Sequence, residues 1–112
     1  MSNKEVIREI LNESADILAS SNKAWIKGAM AMDKYGARCL PFSDKSCSFC
    51  MLGVIRKVSG EKRFDSKLVL EEMMGDRIQS SYDGYGLTML NDRSRTTRMQ
   101  VVNFLQLSAL AI

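Results

Sequence analysis

Apolar side chains recur at intervals of three and four residues through the first twenty positions of the chain. The repeating positions are Val6, Ile7, Ile10, Leu11, Ile17 and Leu18, with Ser14 completing the spacing. This spacing is typical of one buried helix face. Ser2 or Asn3 provides a side chain that can accept a hydrogen bond from the free amides of a first turn. The pattern therefore predicts an amphipathic helix over residues 3–20.

A second apolar stripe of helical period begins in the middle of the chain. Its positions are Cys47, Cys50, Met51, Val54, Ile55 and Val58. The spacing predicts a buried helix over residues 44–58, with Ser43 or Asp44 as its N-cap. Arg56 and Lys57 then fall in the last turn, where cations are favourable, and Gly60 follows as a stop signal.

Two further helices are predicted nearer the C-terminus. One covers residues 65–74, is capped by Asp65 or Ser66 and is ended by Gly75. The other covers residues 95–110 and uses an apolar set that includes Val101, Val102, Leu105 and Ala109. Between them, residues 79–86 have loop composition, and residues 87–90 are interpreted as a short strand or the approach to the last helix.

Residues 24–40 break the helical pattern. Their turn chemistry is at 33–36, where Asp33 can close a side-chain turn and Gly36 can adopt a positive φ. We expect a short hairpin or an extended excursion there. The whole is predicted to be a mainly α, four-helix domain with a short β-hairpin or irregular insert, and an α+β arrangement stays open. At 112 residues the chain has the length of one domain, 1–112.

Composition narrows the class of protein. No apolar run approaches the roughly 20 residues of a membrane span, and the charged start does not resemble a signal peptide. Three cysteines, an odd number, do not suggest a disulfide scaffold. These features predict a cytoplasmic protein. The absence of histidine excludes histidine bases, serine–histidine or cysteine–histidine pairs and histidine-containing zinc sites.

The cysteines are the first candidate chemistry. Cys47 and Cys50 could form a redox pair at a helix N-terminus, where the dipole favours the thiolate. With Cys39 they would supply three zinc ligands, one short of a structural site. Their place on the apolar stripe favours packing, because a free cysteine behaves as a small hydrophobic residue. We therefore expect no metal and no cofactor, and the redox alternative stays open.

Basic residues are the second candidate chemistry. Arg93, Arg95 and Arg98 lie near the start of the last predicted helix, where cations oppose the helix dipole, so the local structure gives no reason for them. Together with Arg56 and Lys57 they are the candidate residues for binding an anion or an acidic partner.

A polar and aromatic set forms the third candidate. Trp25, Tyr35, Asn91 and Asp92 could line a ligand pocket. The alternative is that Trp25 packs in the core, and that Asn91 and Asp92, with Ser94, cap the last helix.

Short motifs spread along residues 5–109 carry a resemblance. They are Trp25-x-x-Gly28, a turn glycine at Gly36, Cys50-x-x-Gly53 and Asn91-Asp92 followed by Thr96. In this order they resemble a family of short uncharacterised bacterial and phage proteins, known as a domain of unknown function. The resemblance implies a small, mainly helical fold and brings no activity with it.

No glycine-rich phosphate loop, nucleophile elbow or metal box occurs, so we expect a protein that is not an enzyme. The leading hypothesis is a small intracellular interaction protein, encoded by a phage or mobile element, that binds and modulates a protein partner. One alternative is a nucleic-acid-binding accessory protein that uses the arginines near residue 95. Another is a thiol sensor at Cys47 and Cys50. The apolar C-terminus also allows a homodimer.

Overall fold

Helices dominate the structure, a computed structural model that describes residues 2–74 and 85–112. In chain order the elements are α1 (Asn3–Ala19), β1 (Ala31–Met32), β2 (Ser48–Phe49), α2 (Met51–Glu61), α3 (Ser66–Met74), α4 (Tyr85–Asp92) and α5 (Arg98–Leu110). The predicted mainly α class with a small β insert is confirmed, but the described residues form five helices rather than four. The stop predicted at Gly75 and most of the loop predicted at 79–86 lie outside the described residues.

The core is organised around α1. Ser2 caps this helix by accepting a hydrogen bond from the amide of Glu5, and the helix covers nearly the predicted range. Its buried face packs most extensively on α5 and next on α2. The fully buried side chains of this core include Ile10, Leu11, Leu18, Ile55, Leu105 and Val54. Among the described residues, no helix is both long and apolar enough to cross a membrane.

The start of α2 differs from the prediction. The helix begins at Met51, with Cys50 as its N-cap, so the expected start at 44 and the cap at Ser43 or Asp44 were wrong. Residues 41–45 turn instead, and the Ser46 hydroxyl that follows them lies 2.7 Å from the carbonyl oxygen of Ser43. Strand β2 then pairs with β1, and the backbone hydrogen bonds of that pairing prevent a helix there. Cys47 is consequently off the helical stripe and exposed.

The end of α2 also differs. The helix continues through Gly60 to Glu61, so Arg56 and Lys57 lie in its middle and Gly60 is not its stop signal. Arg63 takes the left-handed conformation, with φ of +53°. The amides of Arg63 and Phe64 donate to the carbonyls of Gly60 and Ser59. This is the hydrogen-bond pattern with which a glycine usually ends a helix, here formed by an arginine.

The insert between α1 and α2 contains the predicted turn. Asp33 Oδ1 accepts hydrogen bonds from the amides of Tyr35 (2.8 Å) and Ala37 (3.0 Å), and Gly36 has a φ of +79°. The turn carries one antiparallel bridge, from Met32 to Arg38. The strand pairing itself joins β1 to β2 in antiparallel register. The insert is therefore not an isolated hairpin. Its strand β1 forms a small two-stranded sheet with β2, which follows later in the chain.

The C-terminal part contains the helix that was not expected. Residues 87–90, interpreted as a strand or an approach, belong to α4, and Asn91 and Asp92 are its last two residues. They do not cap the last helix. Helix α5 begins at Arg98 rather than 95, because Thr97 and Gln100 form a complete capping box there.

Candidate functional site

A buried asparagine joins three parts of the chain. Asn91 is fully buried at the end of α4. Its Oδ1 accepts hydrogen bonds from the indole N–H of Trp25 and from the amide of Met51, the latter at 3.1 Å. Its Nδ2 donates to the carbonyl of Ile26 at 3.0 Å. Met51 is the first residue of α2, so Asn91 satisfies a free amide of a helix that lies 40 positions away in sequence.

Asp92 extends the same cluster. Its Oδ1 accepts hydrogen bonds from the Gly28 amide (3.2 Å) and from Nδ2 of Asn91 (3.0 Å). Gly28 has a φ of +81°, which explains the glycine in the sequence. Of the predicted pocket residues, the structure therefore brings together Trp25, Asn91 and Asp92. Tyr35 is 83% exposed and its ring lies beneath the Lys34 ammonium.

The insert packs directly on α2 at Gly53. A Cβ atom at this position would lie 1.9 Å from the carbonyl oxygen of Met30, so only glycine permits the approach. The Cys50 sulfur accepts a hydrogen bond from the Gly53 amide at 3.3 Å. Of the residues on which the family resemblance depends, Trp25, Gly28, Gly53, Asn91 and Asp92 thus lie at the contacts between the insert, α2 and α4. Packing between these elements therefore explains why these residue types stand at these positions.

The three cysteines have different surroundings and are all free. Burial raises the pKa of the Cys50 thiol, and burial followed by the nearby Asp33 carboxylate raises that of Cys39. A raised pKa keeps a thiol protonated and slow to react. Among the described residues, no three acidic or cysteine side chains are grouped to hold a metal ion.

Two of the predicted arginines line one cleft. Arg93 and Arg95 lie beside the connection from α4 to α5, around an opening of about 340 Å³. Thr96 and Gln100 add polar groups to this opening, and the other lining residues are Leu90 and Val101. We call this opening the basic cleft. Both arginines are exposed, and neither takes part in the three ion pairs formed by the described residues.

Further positive charge lies near the basic cleft. The Lys27 ammonium donates a hydrogen bond to the carbonyl of Arg93. The cleft is also lined by Gln100 in the first turn of α5, where the helix dipole adds a partial positive charge. Arg95 lies just before α5, at the end of a helix where cations are unfavourable, whereas Arg93 directly follows the last residue of α4, at the end where they are favourable. Positive potential is therefore concentrated in the basic cleft. An anionic group is the natural complement of such a site.

The other predicted cations lie elsewhere. The Arg98 guanidinium donates to the Leu18 carbonyl at 3.1 Å and to Asn22 Oδ1 at 3.0 Å, and so fastens the end of α1 to α5. Lys57 forms an ion pair with Glu61 at 3.1 Å. Arg56 lines a separate cleft near the end of α2. Sequence reasoning grouped these residues by their charge and their position near predicted helix ends, whereas only Arg93 and Arg95 share the basic cleft.

Sequence reasoning did not identify Thr96 and Gln100 as part of the basic cleft. The Thr97-x-x-Gln100 spacing is a capping-box signal that could have placed the first turn of α5. The Thr96 hydroxyl donates to the Leu90 carbonyl at 2.7 Å, a contact between α4 and the connection that follows it.

Comparison with known proteins identifies one relationship. Residues 2–109 match the model of a family described as "Family of unknown function (DUF6197)". No curated protein and no solved structure matches the chain significantly.

Proposed function

The chain belongs to this family of unknown function, and we propose that it is a small, non-enzymatic protein that binds an acidic segment of a protein partner and so modulates that partner. The observation that carries the proposal is the basic cleft, where Arg93 and Arg95 lie in the connection from α4 to α5 without an ion pair in the described chain. Three free thiols support a cytoplasmic setting for this role.

The lining of the basic cleft favours an acidic peptide segment over a bare ion. Leu90, which is half-buried, provides apolar surface beside the two arginines, whereas Val101 is only 1% exposed. On the helices that form the cleft, Met89 is 51% exposed and Met99 is 47% exposed. Methionine adapts to irregular surfaces and is common where a protein binds its partners. A segment that alternates glutamate or aspartate with apolar residues would use both kinds of surface, and each arginine can bind a carboxylate through two parallel hydrogen bonds.

Nucleic acid is the second candidate, because phosphates also bind where a helix N-terminus and arginines meet. Lys27 lies close enough to bond to the Arg93 backbone and would add a third cation. The basic cleft is short, however, and nucleic-acid binding proteins commonly neutralise about 6–10 phosphates along an extended surface. For this reason the protein partner is preferred.

The experiment compares two doubly substituted proteins that carry the same change in net charge. Arg93→Glu/Arg95→Glu removes the positive charge of the basic cleft, and folding is expected to survive because both side chains are exposed and form no ion pair within the described chain. Lys4→Glu/Lys45→Glu, at two exposed positions, is the matched control. Wild type and both variants are immobilised, and extracts of the native cells are passed over them before and after nuclease treatment.

The proposal expects a protein that wild type and the lysine control retain, that the arginine variant loses, and that nuclease does not release. Retention of the same proteins by the arginine variant would overturn it. Release by nuclease, with retained DNA or RNA fragments, would replace the proposal by the nucleic-acid alternative.

A further inference from the structure

A second cleft lies between the end of α2 and the start of α3. It encloses about 280 Å³ and is lined by Phe42, Arg56, Ser59, Gly60, Phe64, Asp65 and Ser66. It shares no lining residue with the basic cleft. Because the two clefts are separate, a ligand here would be independent of the proposed binding of a protein partner. We call this opening the α2–α3 cleft.

Two buried donors at the α2–α3 cleft have no acceptor. Ser59 is only 1% exposed, and its hydroxyl has no hydrogen-bond partner within the described chain. The Nε–H group of Arg56 is also buried and unpartnered there. Native proteins leave few buried polar groups unsatisfied, because such groups are unfavourable. Arg56 and Ser59 are three positions apart on α2 and therefore on one face of it. Together they offer a site for an acceptor group such as a carboxylate.

An acidic side chain also lines the cleft. Asp65 uses Oδ1 to accept a hydrogen bond from the Lys67 amide at 2.9 Å, which leaves Oδ2 for another donor. Arg56 and Asp65 line the same cleft, yet they do not form one of the ion pairs recorded among the described residues. The cleft thus holds a positive and a negative group that form no ion pair with each other, and an occupant with both charges would complement them.

Aromatic rings supply the remaining surface. Phe42 is 62% exposed and its ring lies over α2, where a Cβ atom on Gly60 would be 3.6 Å from it. Phe64, half-buried, is the other aromatic residue of the lining. An exposed phenylalanine beside unpartnered donors would bury apolar surface if an apolar group entered the cleft.

We infer that the α2–α3 cleft binds a free α-amino acid with an apolar side chain. The ligand carboxylate accepts hydrogen bonds from Arg56 and Ser59, its ammonium group binds Asp65, and its side chain packs against Phe42 and Phe64. The cleft volume is just below the ~300–1,000 Å³ of typical ligand pockets, which suits a molecule as small as an amino acid.

The test uses isotope-labelled full-length protein and NMR titration with L-phenylalanine, L-leucine and glycine. The two apolar amino acids are expected to shift the amide signals of Ser59, Gly60 and Ser66 in a saturable manner, and glycine to bind at least tenfold more weakly. N-acetyl-L-phenylalanine lacks the ammonium group and L-phenylalaninamide lacks the carboxylate. Each is expected to bind at least tenfold more weakly than L-phenylalanine, because a hydrogen-bonded charge pair is lost.

Variants assign the contacts. Ser59→Ala removes a hydroxyl that has no internal partner, so folding is retained while L-phenylalanine binding weakens about tenfold. Ser14→Ala is the matched control, since Ser14 is also buried with an unpartnered hydroxyl but does not line the cleft, and its binding should equal that of wild type. Arg56→Met should bind L-phenylalanine only slightly better than L-phenylalaninamide, because the charged group that distinguishes them is gone and only the Ser59 hydroxyl remains.

Failure of both apolar amino acids to shift these signals at 20 mM, a concentration about twentyfold above a 1 mM dissociation constant, would overturn the inference. Equal binding of L-phenylalanine and its two derivatives by wild type would overturn it as well. Neither result depends on any variant folding, and neither bears on the partner proposed for the basic cleft.

Discussion

Replacing Asn91 by alanine tests whether one buried amide holds the insert, α2 and α4 together. The substitution removes the acceptor for the Trp25 indole and the Met51 amide, and the donor to the Ile26 carbonyl. The substitution leaves the net charge of the protein unchanged. The expected result is a large loss of stability, because the groups left behind cannot all reach water.

The magnitude follows from the burial of each group. The Asn91–Met51 bond is buried, and an unsatisfied buried donor costs about 1–3 kcal/mol, taken as ~2. The bonds to Trp25 and Ile26 are only partly buried, so each is worth about 0.5–1 kcal/mol. The sum is about 3–4 kcal/mol, a large part of the ~5–15 kcal/mol that stabilises a typical domain.

Urea unfolding followed by circular dichroism measures this loss, and the same variant should melt about 15 °C below wild type. Asn103→Ala is the matched control, because Asn103 is exposed in the middle of α5. That change should be neutral or slightly stabilising, since alanine is the better helix former. A loss below about 1 kcal/mol for Asn91→Ala, or equal losses for the two variants, would refute the reasoning, because a buried group without its partner must cost more.

Further predictions concern two glycines, one strained residue and two thiols. Gly53→Ala should lower the free energy of unfolding by more than ~3 kcal/mol, or prevent folding, because its Cβ would lie 1.9 Å from a backbone oxygen of the insert. Gly60→Ala in the same helix, where an added Cβ would have no contact closer than 3.6 Å, should raise the free energy of unfolding by about 0.5–1 kcal/mol. Equal urea midpoints for the two glycine variants would contradict both expectations. Arg63→Gly should stabilise by about 0.5 kcal/mol in thermal melts, because it relieves a left-handed φ of +53°, and a lower melting temperature would show that no strain is stored there. In native protein, Cys47 should react with a thiol reagent at least ~100-fold faster than the buried Cys50, and rapid labelling of Cys50 would restore the thiol-sensor alternative. Burial raises the pKa of Cys50 above its ordinary 9.0, so the unfolded state releases this proton first and wild type should lose stability as pH rises through 9.0. Cys50→Ala should lose less over the same range in urea titrations, and identical pH profiles would contradict the assignment.

Local signals in the sequence predicted α1 well and α2 poorly. The apolar period of α1 is continuous and Ser2 is a local cap, so both ends follow from neighbouring residues. The apolar stripe of α2 includes Cys47 only by coincidence. Cys47 has the helical spacing in the sequence, but the backbone before Met51 is not helical. What decides the conformation there is the pairing of β2 with β1, and that contact joins residues 16 and 18 positions apart. Non-local pairing of this kind overrides local pattern.

The polar pair at 91–92 shows the same limit at the candidate sites. A capping role was predicted for Asn91, and it does bond to a free helix amide, but that amide belongs to α2. Charge drew attention to Arg93, Arg95 and Arg98 together, and Arg98 is separated from the others only by its bonds to the end of α1. Ser59 carries no signal in the sequence, because an unpartnered hydroxyl is a property of packing.

The basic cleft and its acidic protein partner form the central claim, and the dissociation constant of the captured partner tests it most directly. Calorimetric titration would compare wild type, Arg93→Glu/Arg95→Glu and the control Lys4→Glu/Lys45→Glu. Each of the two charged hydrogen-bonding groups is worth about 1.5–3 kcal/mol. Because about 1.4 kcal/mol corresponds to a tenfold change, their loss predicts a dissociation constant at least 100-fold higher for the arginine variant. The lysine control should stay within threefold of wild type. Equal affinities for the two variants would contradict the claim that Arg93 and Arg95 bind the partner.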